Sequence, residues 1–304
     1  MKRLVGPENP NNQMYDHARI LKDYCSRKIT VPIPGLLQHG WSYGPGVDPG
    51  DLEHVTNQPS QRLFLWNQRN AQVCRDLGQN QVLLIGAPLL YLPEPDQPTS
   101  AEPKSLLLFP AHSCEWEPFV SEASDLYRTY FDELRPILES FESITVCLYW
   151  REFEDEKVRG LIEDMAFKVT TLGHRDNNPG FVSRLRTLIL AHQYVSTNSY
   201  STALFYSLFL DRKAFVYGKT FVSRLLPGKT DNLSIHDAMR RRYPQLDWER
   251  FDDMPHQDIG AEEVGASFRL PPDELREEFG WTTARQLKSI GRRLVVSARR
   301  RMRW

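Results

Sequence analysis

The sequence predicts an α/β protein whose mostly parallel sheets carry helices on both faces. Short apolar runs of strand length alternate with segments of helical spacing along most of the chain. Polar clusters follow the ends of those strand-like runs again and again, as they do where connections cross back over a parallel sheet. The 304 residues, 40% hydrophobic and 25% charged, suffice for one large domain or two of ordinary size.

Taken in order, His17 to Lys28 has helical spacing, and Val31 to Leu37 runs as a strand into Gln38-His39-Gly40-Trp41. The Gly/Pro-rich stretch 42–50 that follows is loop. Arg62 to Trp66 reads as a second strand, Ala71 to Leu77 as a helix with Gly78 as its C-cap, and Val82 to Ile85 as a third strand that Leu89 to Leu92 extends or repeats. Residues 93–104 are linker-like in composition and are read as a surface loop. Ser105 to Phe109 is a buried-type strand, Ser124 to Ser140 an amphipathic helix, Ile144 to Tyr149 a strand, Glu154 to Met165 a helix and Phe167 to Leu172 a strand. A helix from Gly180 to His192 leads to Tyr194-Val195 at a strand end, a turn at Ser196-Thr197-Asn198-Ser199, an apolar helix from Thr202 to Leu210 and a strand from Lys213 to Tyr217. Beyond it lie a short basic helix from Ile235 to Arg242, an irregular stretch at 244–270, a helix from Pro271 to Phe279 and a long helix from Thr282 to Met302. The expected organisation is two Rossmann-like lobes facing each other across a cleft, an acceptor lobe at 14–140 and a nucleotide-donor lobe at 141–235, with a helical extension at 236–304.

A formal net charge of −1 gives no general argument for a nucleic-acid partner. Cys25, Cys74, Cys114 and Cys147 are scattered without CxxC or paired His/Cys spacing, which suits reduced thiols better than disulfides or zinc ligands. The opening MKRLVGPENPNNQ turns polar too soon for a signal peptide, and no apolar run nears the roughly 20 residues that cross a bilayer. The expectation is a cytoplasmic protein. The first half of the last helix reads as solvated with its apolar stripe docked on the body, whereas the tail ARRRMRW suits an anionic membrane surface, with nucleic acid as its alternative; the membrane contact would place the protein at the inner face of the membrane.

In open parallel sheets, ligands bind beyond the carboxyl ends of the strands. His39, His112-Ser113, Trp150-Arg151, His174-Arg175 and Ser196 to Ser201 all fall at such ends. The helix beginning at Thr202 offers free N–H groups beside small hydroxyls, an arrangement that suits a phosphate as well as an ordinary N-cap. Histidine and arginine beside it would hold a diphosphate or phosphodiester without a metal, so neither a metal site nor a cofactor is expected. His39 is a candidate base, with Glu115 as the leading acidic alternative and Glu117, Asp48 and Asp51 behind it. His112 is placed near the leaving group. GxGxxG, GxxxxGK[ST], Gly-x-Ser-x-Gly and Asp-x-Asp are all lacking, which speaks against dinucleotide-dependent redox chemistry, P-loop phosphotransfer, an α/β-hydrolase and the usual metal–diphosphate clamp.

The segment Ser201-Thr202-Ala203-Leu204-Phe205-Tyr206-Ser207-Leu208-Phe209-Leu210, followed by Lys213 to Gly218, resembles the nucleotide-binding segment of the GT-B glycosyltransferase superfamily. It is most similar to bacterial transferases that use CMP-activated sugars, such as capsule Kdo transferases and sialyltransferases. The resemblance implies a nucleotide-sugar donor, a glycan or lipid-linked acceptor, and work in cell-surface polysaccharide or lipopolysaccharide synthesis. It further implies that Ser199, Ser201 and Thr202 hold the donor phosphate and that His174, with Arg175, contacts the nucleotide. Gln38-His39-Gly40 is similar in placement to the His-Gly of teichoic-acid polyol-phosphate transferases. Two positions depart from the pattern. Arg175 follows His174 where the family has proline, and Tyr206 stands where many relatives place a ribose-binding glutamate. Transfer of a polyol phosphate from a CDP donor, nucleotide-sugar epimerisation, and a degenerate scaffold of the same fold are the rival readings.

Overall fold

The computed structural model describes residues 8–25, 29, 31–47, 62–95, 100–113, 118–176, 178–222 and 232–283. In chain order the elements are α1 (Pro10–Gln13), α2 (His17–Cys25), β1 (Gly35–Leu37), β2 (Arg62–Leu65), α3 (Gln68–Asp76) and β3 (Val82–Leu84). There follow β4 (Glu102–Phe109), α4 (Ala123–Leu138), β5 (Ser143–Leu148), α5 (Trp150–Glu154), α6 (Glu156–Glu163), β6 (Lys168–Thr171) and α7 (Phe181–Leu190). The last are β7 (His192–Thr197), α8 (Thr202–Phe209), β8 (Lys213–Val216), α9 (Asn232–Arg242), α10 (Gln257–Val264) and α11 (Pro272–Glu278).

Both sheets are wholly parallel. The smaller has the order β1-β2-β3 and the larger the order β6-β5-β4-β7-β8. In the larger sheet the chain starts at the centre, winds outward through β5 and β6, then returns to β4's other side for β7 and β8. The order therefore reverses between β4 and β7, and in open parallel sheets ligands bind beyond the strands' carboxyl ends at such a switch point. The central strand carries Leu106, Leu107 and Leu108, none of them exposed, as expected of a strand covered on both faces.

The expected α/β architecture with parallel sheets is present, but its division differs. The expected boundary at 140 falls inside the larger sheet, because Glu102–Phe109 is that sheet's centre. Of the linker-like residues 93–104, Glu102 to Lys104 belong to the start of this strand, and the last strand of the small sheet ends before them at Leu84. Leu89 to Leu92 does not extend β3; Pro88–Tyr91 forms a 3-10 turn that buries Leu89, Leu90 and Tyr91. The stretch 244–270 contains a helix, α10. The helix expected over 282–302 and the basic tail lie outside the described residues. Among the described residues, no helix is long and apolar enough to cross a membrane.

The sheets share a core. Leu37 and Phe64 from the small sheet, Trp66 and Tyr206 between them, and Leu107 and Val195 from the large sheet belong to a single buried cluster. Trp66 stacks on Tyr206 with ring centroids 5.7 Å apart, and Trp41 packs on Phe205 at 4.7 Å. Two glycines let α10 approach. A Cβ on Gly260 would lie 2.2 Å from the Phe209 nitrogen at the end of α8, and one on Gly265 would lie 1.7 Å from the Trp66 carbonyl oxygen.

The edge of the small sheet is closed by a side chain. Asn12 donates from Nδ2 to the Gly35 carbonyl at 2.9 Å and accepts at Oδ1 from the Leu37 N–H at 2.8 Å. Its amide thus meets the outward-facing groups of β1 in place of a fourth strand.

Gly265 also sits at φ 68°, where a side chain is strained. Gly265→Ala should therefore cost about 3 kcal/mol, from overpacking and backbone strain together. Urea unfolding measures this; a loss within about 0.5 kcal/mol of zero, the scatter of surface substitutions, would show that α10 can shift without penalty.

Candidate functional site

The carboxyl ends of β4, β5 and β6 carry a row of rings. His112, after β4, stacks on Tyr149, after β5, at 4.3 Å and 26°. Tyr149 is edge-on to Trp150, whose ring lies 5.0 Å from His174 beyond β6. These side chains follow the carboxyl ends of three neighbouring parallel strands and so share one rim. His174 accepts the Asp176 N–H at Nδ1 (3.0 Å), so its proton is on Nε2. Its carbonyl accepts from Asn178 Nδ2 at 2.8 Å.

Arg175 lies inward of this row and is buried. Burial works against its charge, but Tyr15 and Tyr149, together with Asp176, hold its pKa above the ordinary arginine value. Tyr15 also donates its backbone N–H to the Arg175 carbonyl at 2.8 Å. The Tyr15-Asp16 corner that reaches Arg175 is strained, with left-handed φ of 54° and 70°. Asp16 holds it by accepting the Gly180 N–H at 2.6 Å and pairing with Arg19. Tyr15 packs on Phe181 at 4.9 Å and against His17 at 5.7 Å.

His17 is buried at the start of α2, and burial, with the charge of His39 next, lowers its pKa to about 3. His39 thus faces the same region from the small-sheet side. The structure gathers His39, Arg175, His112 and His174 around the strand ends through Tyr15, His17, Tyr149 and Trp150, none of which the sequence singled out for a site role except Trp150.

The three hydroxyl residues expected to hold a phosphate lie around the start of α8. Ser201 Oγ caps α8 by accepting the Leu204 N–H at 3.4 Å. Thr202 Oγ1 accepts the Trp41 N–H at 2.8 Å, so the loop after β1 lies against this helix start. Ser199 is tied by its backbone, its N–H reaching Thr197 Oγ1 at 3.2 Å. Tyr206, placed by the resemblance at a ribose contact, is 1% exposed in the shared core, and burial raises its pKa. A tyrosine ring on the face of α8 that meets Trp66 is core, so this position makes no ribose contact. Glu115, Glu117, Asp48 and Asp51 lie outside the described residues.

The loop carrying His39 is set by a buried carboxylate. Glu263, 1% exposed, accepts Arg69 Nη1 and Nη2 at 2.5 and 2.6 Å, Trp41 Nε1 at 2.7 Å and the Tyr243 hydroxyl at 2.8 Å. Burial pushes its pKa up, but Arg69, Trp41 and Tyr243 outweigh that and leave it below the usual carboxylate range. Gln38 and Asn70 complete the frame. Gln38 Oε1 accepts the Trp66 N–H at 2.9 Å, and Asn70 Nδ2 donates to the Ser42 and Gly44 carbonyls at 2.8 and 2.6 Å.

No family model matches the chain, and no curated protein matches it. Among solved structures it is similar to the pneumococcal O-GlcNAc transferase GtfA in complex with UDP and GlcNAc, with a TM-score of 0.43 and 13% identity over 83% of this chain and 52% of that one. It is also similar to TarM, with a TM-score of 0.35 and 10% identity over 85% of this chain and 49% of the other. The chain thus spans about half the length of these solved structures.

Two outcomes follow from these contacts. Glu263→Ala leaves the Arg69 guanidinium poorly compensated and should destabilise the protein by about 3–5 kcal/mol, measured by urea unfolding. His17 refuses a proton in the fold down to about pH 3, whereas the unfolded chain takes one below 6.5. The unfolded state therefore binds more protons in that window, so His17's contribution is lost as pH falls from 6.5 toward 3. His17→Phe should flatten the pH dependence of stability above about pH 5, where most carboxylates are still charged; equal slopes in both proteins would contradict the buried neutral histidine.

Proposed function

We propose that this chain is a glycosyltransferase that moves a sugar from a nucleotide-activated donor to a hydroxyl acceptor without a metal ion. The observation that carries the reading is the gathering of Arg175, His174 and His112 at the carboxyl edge of a doubly wound parallel sheet, with His39 beside His17. A sheet of that winding binds ligands where its order reverses, here between β4 and β7. A sugar leaving a nucleoside phosphate puts negative charge on the phosphate oxygen, and the preset Arg175 guanidinium with the His174 imidazole beside it stabilises that charge as it forms. The sequence resemblance of 201–218 to GT-B nucleotide-binding segments supports the same substrate class.

In this reading the phosphate faces Arg175 and His174, and Ser199 lies at its edge. Ser201 shapes the site by capping α8, and Thr202 by holding the Trp41 loop against it. The row of rings from His112 to His174 borders the nucleotide or sugar. The acceptor enters from the side of His39, and a glycan or lipid-linked acceptor of cell-surface polysaccharide synthesis fits the basic tail as a membrane contact. UDP, which accompanies GtfA, and CMP, the nucleotide of the transferases that 201–218 resembles, are the first nucleotides to test.

A thermal-shift series with UDP, CMP, CDP, GDP and ADP tests this directly. At a hundred times its dissociation constant the right nucleotide adds about 2.7 kcal/mol of stability. Arg175→Lys, which keeps the charge but loses the planar fork, should weaken that nucleotide about tenfold. No stabilisation by any of the five would overturn the donor reading, and a product gaining a phosphodiester in mass spectrometry would replace sugar transfer with polyol-phosphate transfer.

A further inference from the structure

Three buried polar side chains from three elements fix the residues on either side of one exposed histidine. Asn198, after β7, accepts the Ala111 N–H at 2.6 Å. Tyr127 of α4 donates its hydroxyl to the Ala111 carbonyl at 3.1 Å. Glu152 of α5 accepts both the Ser113 N–H, at 2.9 Å, and the Ser113 hydroxyl, at 2.6 Å. All three side chains lie at 2% exposure or less, while His112 between the fixed residues is exposed. The loop spans the switch point, because Asn198 joins the ends of β4 and β7.

The ring is fixed as well. His112 Nδ1 lies 2.9 Å from the Ser113 carbonyl oxygen, which only accepts, so Nδ1 carries the proton and Nε2 keeps its lone pair. Stacking on Tyr149 sets the ring plane. Glu152 is costly for this service. Its Oε2 is buried with no hydrogen-bond partner among the described residues, a desolvation penalty that packing alone does not explain.

We propose that His112 is the group that takes the proton from the acceptor hydroxyl, with Glu152 as the residue that positions it through Ser113; this rests on the glycosyl-transfer reading above. The acceptor O–H gives its proton to Nε2 as its oxygen bonds to the anomeric carbon. The bond from that carbon to the donor phosphate oxygen breaks, and its electron pair goes to the phosphate, beside Arg175. The proton on Nε2 then passes to water, which reaches the exposed ring. Glu152 touches no reacting atom. A single displacement of this kind inverts the anomeric configuration.

The experiment follows donor hydrolysis, with water as acceptor, for UDP-N-acetylglucosamine, UDP-glucose and CMP-N-acetylneuraminate, alongside ring nitrogen NMR of His112. Expected are a loss of about 100-fold in kcat for His112→Gln with donor KM within a few-fold, and an intermediate loss for Glu152→Ala that Glu152→Gln largely restores. In the wild type the His112 signals should show Nδ1 protonated, and Glu152→Ala should move them toward the other tautomer. Full activity in His112→Gln, or an Nε2-protonated ring in the wild type, would overturn the inference and leave the donor reading standing. Wild-type protein that binds none of the nucleotides and turns over none of the donors would remove both.

Discussion

Glu263 is the interaction on which the arrangement of the two sheets depends. A carboxylate this deeply buried is tolerated only where its oxygens are matched, and here a bidentate arginine, an indole N–H and a phenol match them. Each partner comes from a different part of the chain. Arg69 belongs to the helix after β2, Trp41 to the loop after β1, and Tyr243 to the end of α9. The charge therefore sets where the small sheet's loop lies against α8, and so where His39 faces the larger sheet. Arg69 also lies over the Trp41 and Tyr43 rings at 5.4 and 5.7 Å, adding cation–π attraction to the same joint.

Much of the fold was legible because its signals are local. Apolar runs such as Ser105 to Phe109 read as buried strands, and they are strands. The helix carrying Glu263 was not legible. In Gln257–Val264 only Ile259, Gly260, Glu263 and Val264 are buried, which makes no apolar stripe, and a mid-helix glycine counts against a helix. That glycine is there for packing against Phe209, a tertiary reason invisible in the local sequence. The sheet boundary was misplaced for a similar reason. Residues 93–104 looked like a linker, but nothing local says that the strand beginning there will become the centre of the second sheet.

The candidate site was legible only in its most polar residues. Histidines and Arg175 after strand ends stood out, because polar residues at those positions are where parallel sheets bind ligands. Their supports did not. Tyr15 and His17 reach Arg175 and His39 from the chain's beginning, and only the strained corner at Tyr15-Asp16, held by Asp16 on the start of α7, brings them there. The α8 hydroxyls have a second role that the sequence did not show. Ser201 and Thr202 carry the pattern of a phosphate cradle, and their oxygens also accept the Leu204 N–H and an N–H from the Trp41 loop. Tyr206 shows the same ambiguity, since an aromatic on an apolar helix is read by its neighbours, and here the neighbour is Trp66.

The Asn12 amide on the rim of β1 bears on how the molecule behaves in a crowd. A short parallel sheet ending in a bare strand offers its outer N–H and C=O groups to any extended chain, including another copy. One carboxamide, offering a donor and an acceptor at the spacing of a strand, occupies the groups of Gly35 and Leu37 that such a chain would pair with first. The backbone groups of Gly35 and Leu37 are thereby already paired before such a chain arrives.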